Sequence, residues 1–206
     1  MAPKKEGAKE EDWFNELDAQ LEREKQAVDK DQAELDNHKR KVNMALLEDF
    51  WKIIQRFDTA RHINMTMNPA PDTFAVFESY PDVWKFKENF DFARITGLEL
   101  VDRTQDQGRM GDSIKVWFYQ SDSTIRVRMI FQYCEGEHYY KYAGWKRIFA
   151  QFVIYDAPLS KVSMDELHAK LGDVVKVWFE SHLKKNRDVI IKHLKETYER
   201  GETFTE

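Results

Sequence analysis

The residue types that could do chemistry are tyrosine and histidine, which the predicted sheet directs to one face. Apolar and polar residues alternate through 112–134, a pattern typical of half-buried strands. The predicted pairing of these strands places several tyrosine and histidine side chains on the apolar, core-facing side of the sheet. An apolar pocket with a few convergent polar groups is typical of a small-molecule site, and a His–Tyr cluster could act as general acid and base. The predicted ligand-binding residues are Met129, Phe131, Tyr133, His138, Tyr140, Tyr142, Trp178 and His182.

The same residues also fit a solid core, because tyrosine rings at a sheet edge often fill space with the hydroxyl in water. No metal site is predicted. His168, His182 and His193 lie roughly 21 Å and 16 Å apart along one helix, too far to share an ion. Strand alternation sends Cys134 and His138 to opposite faces. The sequence contains no P-loop, dinucleotide fingerprint, nucleophile elbow or HExxH motif, so we predict no cofactor and leave catalysis open.

Composition limits the class of protein. The 206 residues, 42% hydrophobic and 14% aromatic, suffice for one domain with a core and an appendage. The net charge of -5 makes nucleic acid an unlikely partner. Cys134 is the only cysteine, which excludes an internal disulfide and fits a reducing compartment. Since we find no secretory signal and no apolar run long enough to span a membrane, we expect a soluble, cytoplasmic protein.

A long N-terminal helix is predicted for residues 12–58, which contain no proline or glycine, after a disordered tail at 1–11. Its second part, 42–57, has a wide apolar stripe that should pack on the domain or on a partner. A helix of roughly 70 Å overhangs a domain roughly 35–40 Å across, which suggests self-association or a protein partner through residues 12–57. The first part has only half of a coiled-coil seam. Apolar Phe14, Leu21, Val28 and Leu35 repeat every seven residues, but Leu17 is followed at its own spacing by Glu24, Asp31 and His38.

An α+β domain is predicted for residues 72–206, after the boundary Asn68-Pro69-Ala70-Pro71. It has an antiparallel β-meander of five to six strands and a long C-terminal helix, which a capping box at Ser163 begins and a basic kink at 184–187 interrupts. We place tight turns at Ser121-Asp122 and Glu135-Gly136. These turns pair Phe118 with Ile125, Val116 with Val127, Tyr133 with His138, Phe131 with Tyr140 and Met129 with Tyr142.

The other face of this sheet combines basic and aromatic side chains. Such a surface can stack against and neutralise nucleic acid, or it can be covered by the amphipathic stripe of 42–57. We favour the second interpretation, because the stripe needs an apolar surface and three apolar residues of the sheet point the same way. The residues of this outer face are Lys115, Trp117, Arg126, Arg128, Ile130, Lys141, Arg147, Phe149 and Val153.

The order of elements resembles the helix-grip superfamily, also called START-like or SRPBCC. A strand at 73–78, helical turns at 80–92, a meander at 97–156 and a helix at 163–200 follow its layout. Tyr80-Pro81-Asp82-Val83-Trp84 fits a P-x-x-V-W segment of that superfamily, and Gly97–Val101 with Gly108 and Gly111-Asp112 resembles its second and third strands. The resemblance covers about 130 of the 206 residues. It implies a cavity between curved sheet and C-terminal helix that binds lipids, sterols, polyketides or similar molecules.

We therefore expect non-catalytic binding of an apolar small molecule or lipid in a cavity between the sheet and the C-terminal helix. Two alternatives stay open. One is a structural or interaction protein that works through its N-terminal helix, with a solid domain core. The other is a small enzyme that uses Tyr/His acid–base chemistry.

Overall fold

The computed structural model describes residues 7–61, 63–70, 95–104, 111–141 and 144–205. It confirms the predicted α+β class, with a long N-terminal helix, an antiparallel sheet and C-terminal helices. In chain order the elements are α1 (Gly7–Arg61), β1 (Met65–Ala70), β2 (Gly97–Asp102), β3 (Ser113–Ser121), β4 (Thr124–Tyr140), β5 (Gly144–Pro158), a 3₁₀ turn (Leu159–Lys161), α2 (Met164–Leu183), α3 (Asp188–Thr197), β6 (Glu199–Arg200) and β7 (Phe204–Thr205).

The described strands form one sheet in the order β1-β2-β3-β4-β5-β6, and β7 also pairs with β5. The sheet begins before the predicted domain boundary, because β1 pairs with β2 through Asn68 and Pro69. Proline is tolerated in edge strands, and β1 is an edge strand among the described strands. α1 likewise begins at Gly7, inside the segment predicted as a disordered tail. The strand and turns predicted at 73–78 and 80–92 lie outside the described residues, as does Gly108.

The β3–β4 hairpin turns one residue later than predicted, which shifts the partner of every β3 residue by two positions in β4. Asp122 and Ser123 form the loop, and Asp122 adopts a positive φ of 55°, which aspartate tolerates better than most residues. Phe118 therefore pairs with Val127 and not with Ile125, and Val116 pairs with Met129. Because the register differs by two, every side chain keeps its predicted face.

The turn predicted at Glu135-Gly136 is wrong. β4 continues to Tyr140, with a register irregularity between Cys134 and Gly136 that leaves Glu135 without a partner in β5. A bulge of this kind accommodates one extra residue and preserves the ladder on both sides. The predicted partners therefore change, and the observed pairs are Phe131 with Phe152, Tyr133 with Ala150, Met129 with Tyr155, His138 with Lys146 and Tyr140 with Gly144.

The second half of α1 packs on the inner face of the sheet, together with α2 and α3, and not on the outer face as predicted. Phe50 and Phe57 are fully buried in the same core cluster as Phe131 and Trp178, and the Phe57 ring centroid lies 5.8 Å from that of Trp178. Buried Asn43 donates from Nδ2 to the carbonyl of Ile95 at 3.1 Å. The helix packs on the inner face because that face is continuously apolar, whereas the outer face carries charged side chains.

The C-terminal segment follows the sequence closely. Ser163 caps α2 by accepting a hydrogen bond from the Glu166 N–H at 3.3 Å. The predicted basic kink is present, since α2 ends at Leu183 and Lys185 adopts a positive φ of 50° before α3 begins. The kink turns the chain so that Arg187 approaches the β2–β3 connection.

Candidate functional site

Four of the eight predicted ligand-binding residues lie in the core. Met129, Phe131, Tyr133 and Trp178 are all at most 2% exposed. The ring of Phe131 meets that of Trp178 edge-on, with centroids 5.1 Å apart. His182, one turn further along α2, lies 6.3 Å from Trp178 by the same measure. These residues therefore share one region of the inner face, as predicted.

Two predicted residues are elsewhere, and one cannot be placed. His138 and Tyr140 are exposed on the far end of β4, where their rings contact each other at 4.8 Å. The prediction failed because it folded the chain back at Gly136, whereas β4 runs straight past the core. Tyr142 lies outside the described residues. Of the proposed His–Tyr cluster, only Tyr133 and His182 among the described residues lie on the inner face.

A compact ion-pair cluster, formed by Asp102, Asp112, His182 and Arg187, lies where α2 ends. His182 Nε2 is 3.2 Å from Asp102 Oδ2. Arg187 Nε donates to Asp112 Oδ2 at 3.1 Å, and its Nη2 donates to Asp112 Oδ1. Two carboxylates thus face one guanidinium and one imidazole.

The β2–β3 connection brings the two carboxylates of this cluster together. Asp102 ends β2, Asp112 directly precedes β3, and the Asp102 N–H donates to the Asp112 carbonyl at 2.9 Å. Gly111 permits this approach, because a Cβ at that position would lie 1.6 Å from the Asp102 carbonyl oxygen. The two acids are therefore fixed by backbone geometry and not only by their partners.

Burial and pairing act in opposite directions on these acids. Burial alone would raise the pKa of Asp102, but contact with His182 and the hydrogen bond from the Thr104 N–H hold that pKa below its usual value. Burial raises the pKa of Asp112, and the neighbouring Arg187 only partly offsets it. Asp102 is therefore the acid whose ionised form the fold favours.

Tyr133 contributes a buried hydroxyl beside this cluster. Among the described residues, the hydroxyl oxygen has no hydrogen-bond partner, although the side chain is only 2% exposed. The Arg187 guanidinium lies 5.2 Å from the centre of the Tyr133 ring and donates to the Cys134 carbonyl at 3.1 Å. Burial raises the pKa of Tyr133, which keeps the hydroxyl neutral and able to donate. An unpaired buried donor is unusual, and His182 Nε2 in the neighbouring cluster also lacks a hydrogen bond of good geometry, although it lies 3.2 Å from Asp102 Oδ2.

The outer face carries a separate network around Asp156. Its carboxylate accepts hydrogen bonds from Tyr119 at 2.7 Å, Arg126 at 2.7 Å and Arg128 at 2.6 Å. Burial would raise the pKa of Asp156, but these three donors lower it overall. Because one carboxylate offsets one of the two guanidinium charges, the predicted basic surface is weaker than its sequence implies.

The first half of α1 forms a second candidate surface. Residues 13–34, here called the projecting segment, are all exposed, whereas the stripe from Val42 onward is buried. Five large apolar side chains stand on this segment, with exposed fractions of 40–66%. They are Trp13, Phe14, Leu17, Leu21 and Val28. Apolar residues repeated along one exposed helix are typical of a protein interface.

Sequence reasoning missed the ion-pair cluster, because its members come from segments up to 85 positions apart. The available signals were a lone histidine within the apolar stripe of α2 and an aspartate that ends a buried strand. Among the described residues, no group of three or more His, Cys, Asp or Glu could hold a metal ion. No helix in the described part of the chain is long and apolar enough to cross a membrane.

Comparisons of the chain with protein-family models, with curated proteins and with solved structures found no match. Functional inference therefore depends on the geometry of the chain itself.

Proposed function

We propose that this chain is a structural, non-catalytic protein that self-associates through the apolar side of the projecting segment. The observation that carries the proposal is the contrast within α1. One continuous helix is anchored by buried Phe50 and Phe57, yet holds Trp13, Leu21 and Val28 in solvent. A continuous helix that presents apolar groups about 20–45 Å from Val42, where its buried part begins, is a suitable assembly element.

The charges along α1 favour an antiparallel pair of helices. Residues 13–24 carry four acids and one base, whereas residues 35–41 carry one acid and three bases. A parallel pair in register would set Glu24 against Glu24 and Asp31 against Asp31 at positions that face the partner. An antiparallel pair instead brings the acidic end of one helix to the basic end of the other.

Sedimentation of the full-length protein over a range of concentrations tests this proposal. We expect a dimer that dissociates on dilution. Leu21→Asp should raise the dissociation constant at least about tenfold, because burying one leucine contributes about 1.5–3 kcal/mol. Leu183→Asp is the matched control, since Leu183 is similarly exposed but lies at the end of α2. A wild-type protein that stays monomeric at all concentrations would refute the proposal, and so would an equal effect of both substitutions.

A second candidate function is the binding of an apolar small molecule or lipid at the inner face, as the resemblance to the helix-grip superfamily implies. Its support is the buried, unpartnered Tyr133 hydroxyl beside the ion-pair cluster. A ligand with one hydrogen-bond acceptor would satisfy that group. The core side chains of α1 oppose this candidate, because Phe50 and Phe57 occupy space between the sheet and α2. The helix-grip relationship itself stays a prediction.

Native mass spectrometry of the protein purified from its own cells separates the two candidates. A bound mass that disappears on denaturation, and that Tyr133→Phe reduces, would support the ligand. An apo mass in a dimer would support self-association alone. The acid–base alternative loses two of its predicted groups, since His138 and Tyr140 are exposed at the far end of β4.

A further inference from the structure

The outer end of the β4–β5 hairpin extends beyond the rest of the sheet. The pairing of β4 with β3 ends at Gln132. The pairing of β5 with β7 begins at Ile148. Among the described strands, residues 137–140 and 144–147 therefore pair only with each other. We call these two stretches, with Lys141, the distal hairpin. Four paired residues make a ribbon of about 13 Å that is only two strands wide.

Large aromatic side chains cover this ribbon on both sides. Trp145 is 70% exposed, Tyr139 56% and Tyr140 42%. Tyr139 meets Trp145 edge-on with ring centroids 5.5 Å apart, and Tyr140 meets His138 on the opposite side. No described element covers these rings, although aromatic rings are normally placed where at least part of their surface is removed from water.

The distal hairpin is also locally basic in an acidic chain. Residues 137–147 contain one acid, Glu137, and three bases, Lys141, Lys146 and Arg147, which gives a local charge of +2. Since the whole chain carries -5, the remaining residues carry -7. Arg147 lies 3.7 Å from Glu137. The partner of this surface should therefore be anionic.

We propose that the distal hairpin is a contact site for an anionic membrane surface. Tryptophan and tyrosine prefer the level of the lipid headgroups, where the ring is apolar and the polar edge stays hydrated. Lysines that flank such rings reach anionic headgroups, and each raises partitioning about fivefold. A ribbon only two strands wide, with rings on both sides, can enter the headgroup region without moving the rest of the sheet.

Single-stranded nucleic acid would also contact aromatic and basic groups, but the shape fits it less well. Base stacking needs ring faces arranged along a groove that tracks a backbone. In the distal hairpin, Tyr139 and Trp145 meet edge-on, and Tyr140 does the same with His138. The acidic remainder of the chain also repels a long polyanion, whereas a flat surface need meet only the hairpin end.

Vesicle flotation with the full-length protein tests the proposal. Vesicles of phosphatidylcholine with phosphatidylserine should carry the protein upward, and vesicles of phosphatidylcholine alone should carry much less. Trp145→Ala should lower the partition coefficient about tenfold, because one large ring no longer enters the interface. Since Trp145 is exposed, this variant should melt at the wild-type temperature, which a circular dichroism scan checks.

Leu183→Ala is the control, because Leu183 is also exposed but lies at the end of α2, outside both the distal hairpin and the projecting segment. It should float like the wild type. Absence of flotation of the wild-type protein with either vesicle would overturn the inference. An equal loss with Leu183→Ala, or binding to single-stranded RNA without binding to vesicles, would overturn it as well.

Discussion

At the scale of single residues, the ion-pair cluster shows how the fold tolerates buried acids. Asp102 is almost completely buried, and a carboxylate in that position destabilises the fold unless a cation or donors compensate. His182 and the Thr104 N–H supply that compensation. The cluster therefore joins the end of α2 to the β2–β3 connection, and its members should matter for stability even if no ligand binds.

Asp102→Asn should destabilise the protein in a pH-dependent way. Charge-assisted contacts of a buried carboxylate contribute about 1.5–3 kcal/mol, so we expect a loss of that size at pH 7. Because the pKa of Asp102 is held below its unfolded value of about 3.9, the ionised group stabilises the fold above that pH. The contribution is lost as the pH falls below it, so the two proteins should converge in acid. Urea denaturation at several pH values measures the difference, and a gap independent of pH would contradict the argument.

Tyr133→Phe should leave the free energy of unfolding unchanged or raise it by about 1 kcal/mol. The hydroxyl is buried without a partner, so removing it also removes a desolvation cost. Urea denaturation at neutral pH provides the measurement. Tyr155→Phe is the matched comparison, since the Tyr155 hydroxyl accepts a hydrogen bond from the Ser163 N–H at 3.2 Å and its loss should destabilise. A clear loss of stability in Tyr133→Phe would reveal a partner for that hydroxyl.

At the scale of elements, the sequence predicts the type of each element better than its partner. The apolar stripe of 42–57 correctly predicts a buried helix face, but the sheet offers apolar positions on both faces, such as Ile130 and Phe149 on the outer one. Periodicity alone cannot choose between them. In the same way, Gly136 fits either a turn or a bulge. In the structure β4 pairs with β5 on both sides of Glu135, so the chain forms a bulge there and not a turn.

The two halves of α1 should respond differently to the same substitution. Phe50→Ala should lower the free energy of unfolding by about 3–5 kcal/mol, because Phe50 is fully buried among core side chains. Phe14→Ala should change it by less than about 0.5 kcal/mol in the monomer, since Phe14 is 56% exposed. Urea denaturation measures both changes, at a protein concentration below the dissociation constant of the dimer. Similar losses would mean that the projecting segment folds onto the domain.

The close approach at Gly111 can be tested in the β2–β3 connection. Gly111→Ala places a Cβ 1.6 Å from the Asp102 carbonyl oxygen, so the connection must open. We expect a loss of about 1–3 kcal/mol, as for other overpacked sites, and a higher pKa of Asp102 as His182 moves away. Gly136→Ala is the control, since nothing lies within 4 Å of its added Cβ. Thermal unfolding with NMR titration of the carboxylates measures both effects.

At the scale of the whole molecule, two exposed surfaces stand out from a well-packed domain. The projecting segment and the distal hairpin belong to different elements and differ in charge, the first acidic and the second basic. The sequence indicates the first surface, because an overhanging helix follows from its length alone. The sequence does not indicate the distal hairpin, because the predicted turn at Gly136 directs Tyr140 and His138 to the inner face. The inner-face site is predicted only in part for the same reason.

Removing residues 1–34 should separate assembly from fold. The described side chains of that stretch, 13–34, are all exposed, and the cut falls before Leu35, the first residue of α1 that packs against the core. The free energy of unfolding of the monomer should therefore change by less than about 1 kcal/mol. Sedimentation should give a monomer at concentrations where the full chain is a dimer, while vesicle flotation through the distal hairpin should persist. If the shortened chain still dimerises, the interface lies on the domain, and the exposed apolar residues of α1 must serve another partner.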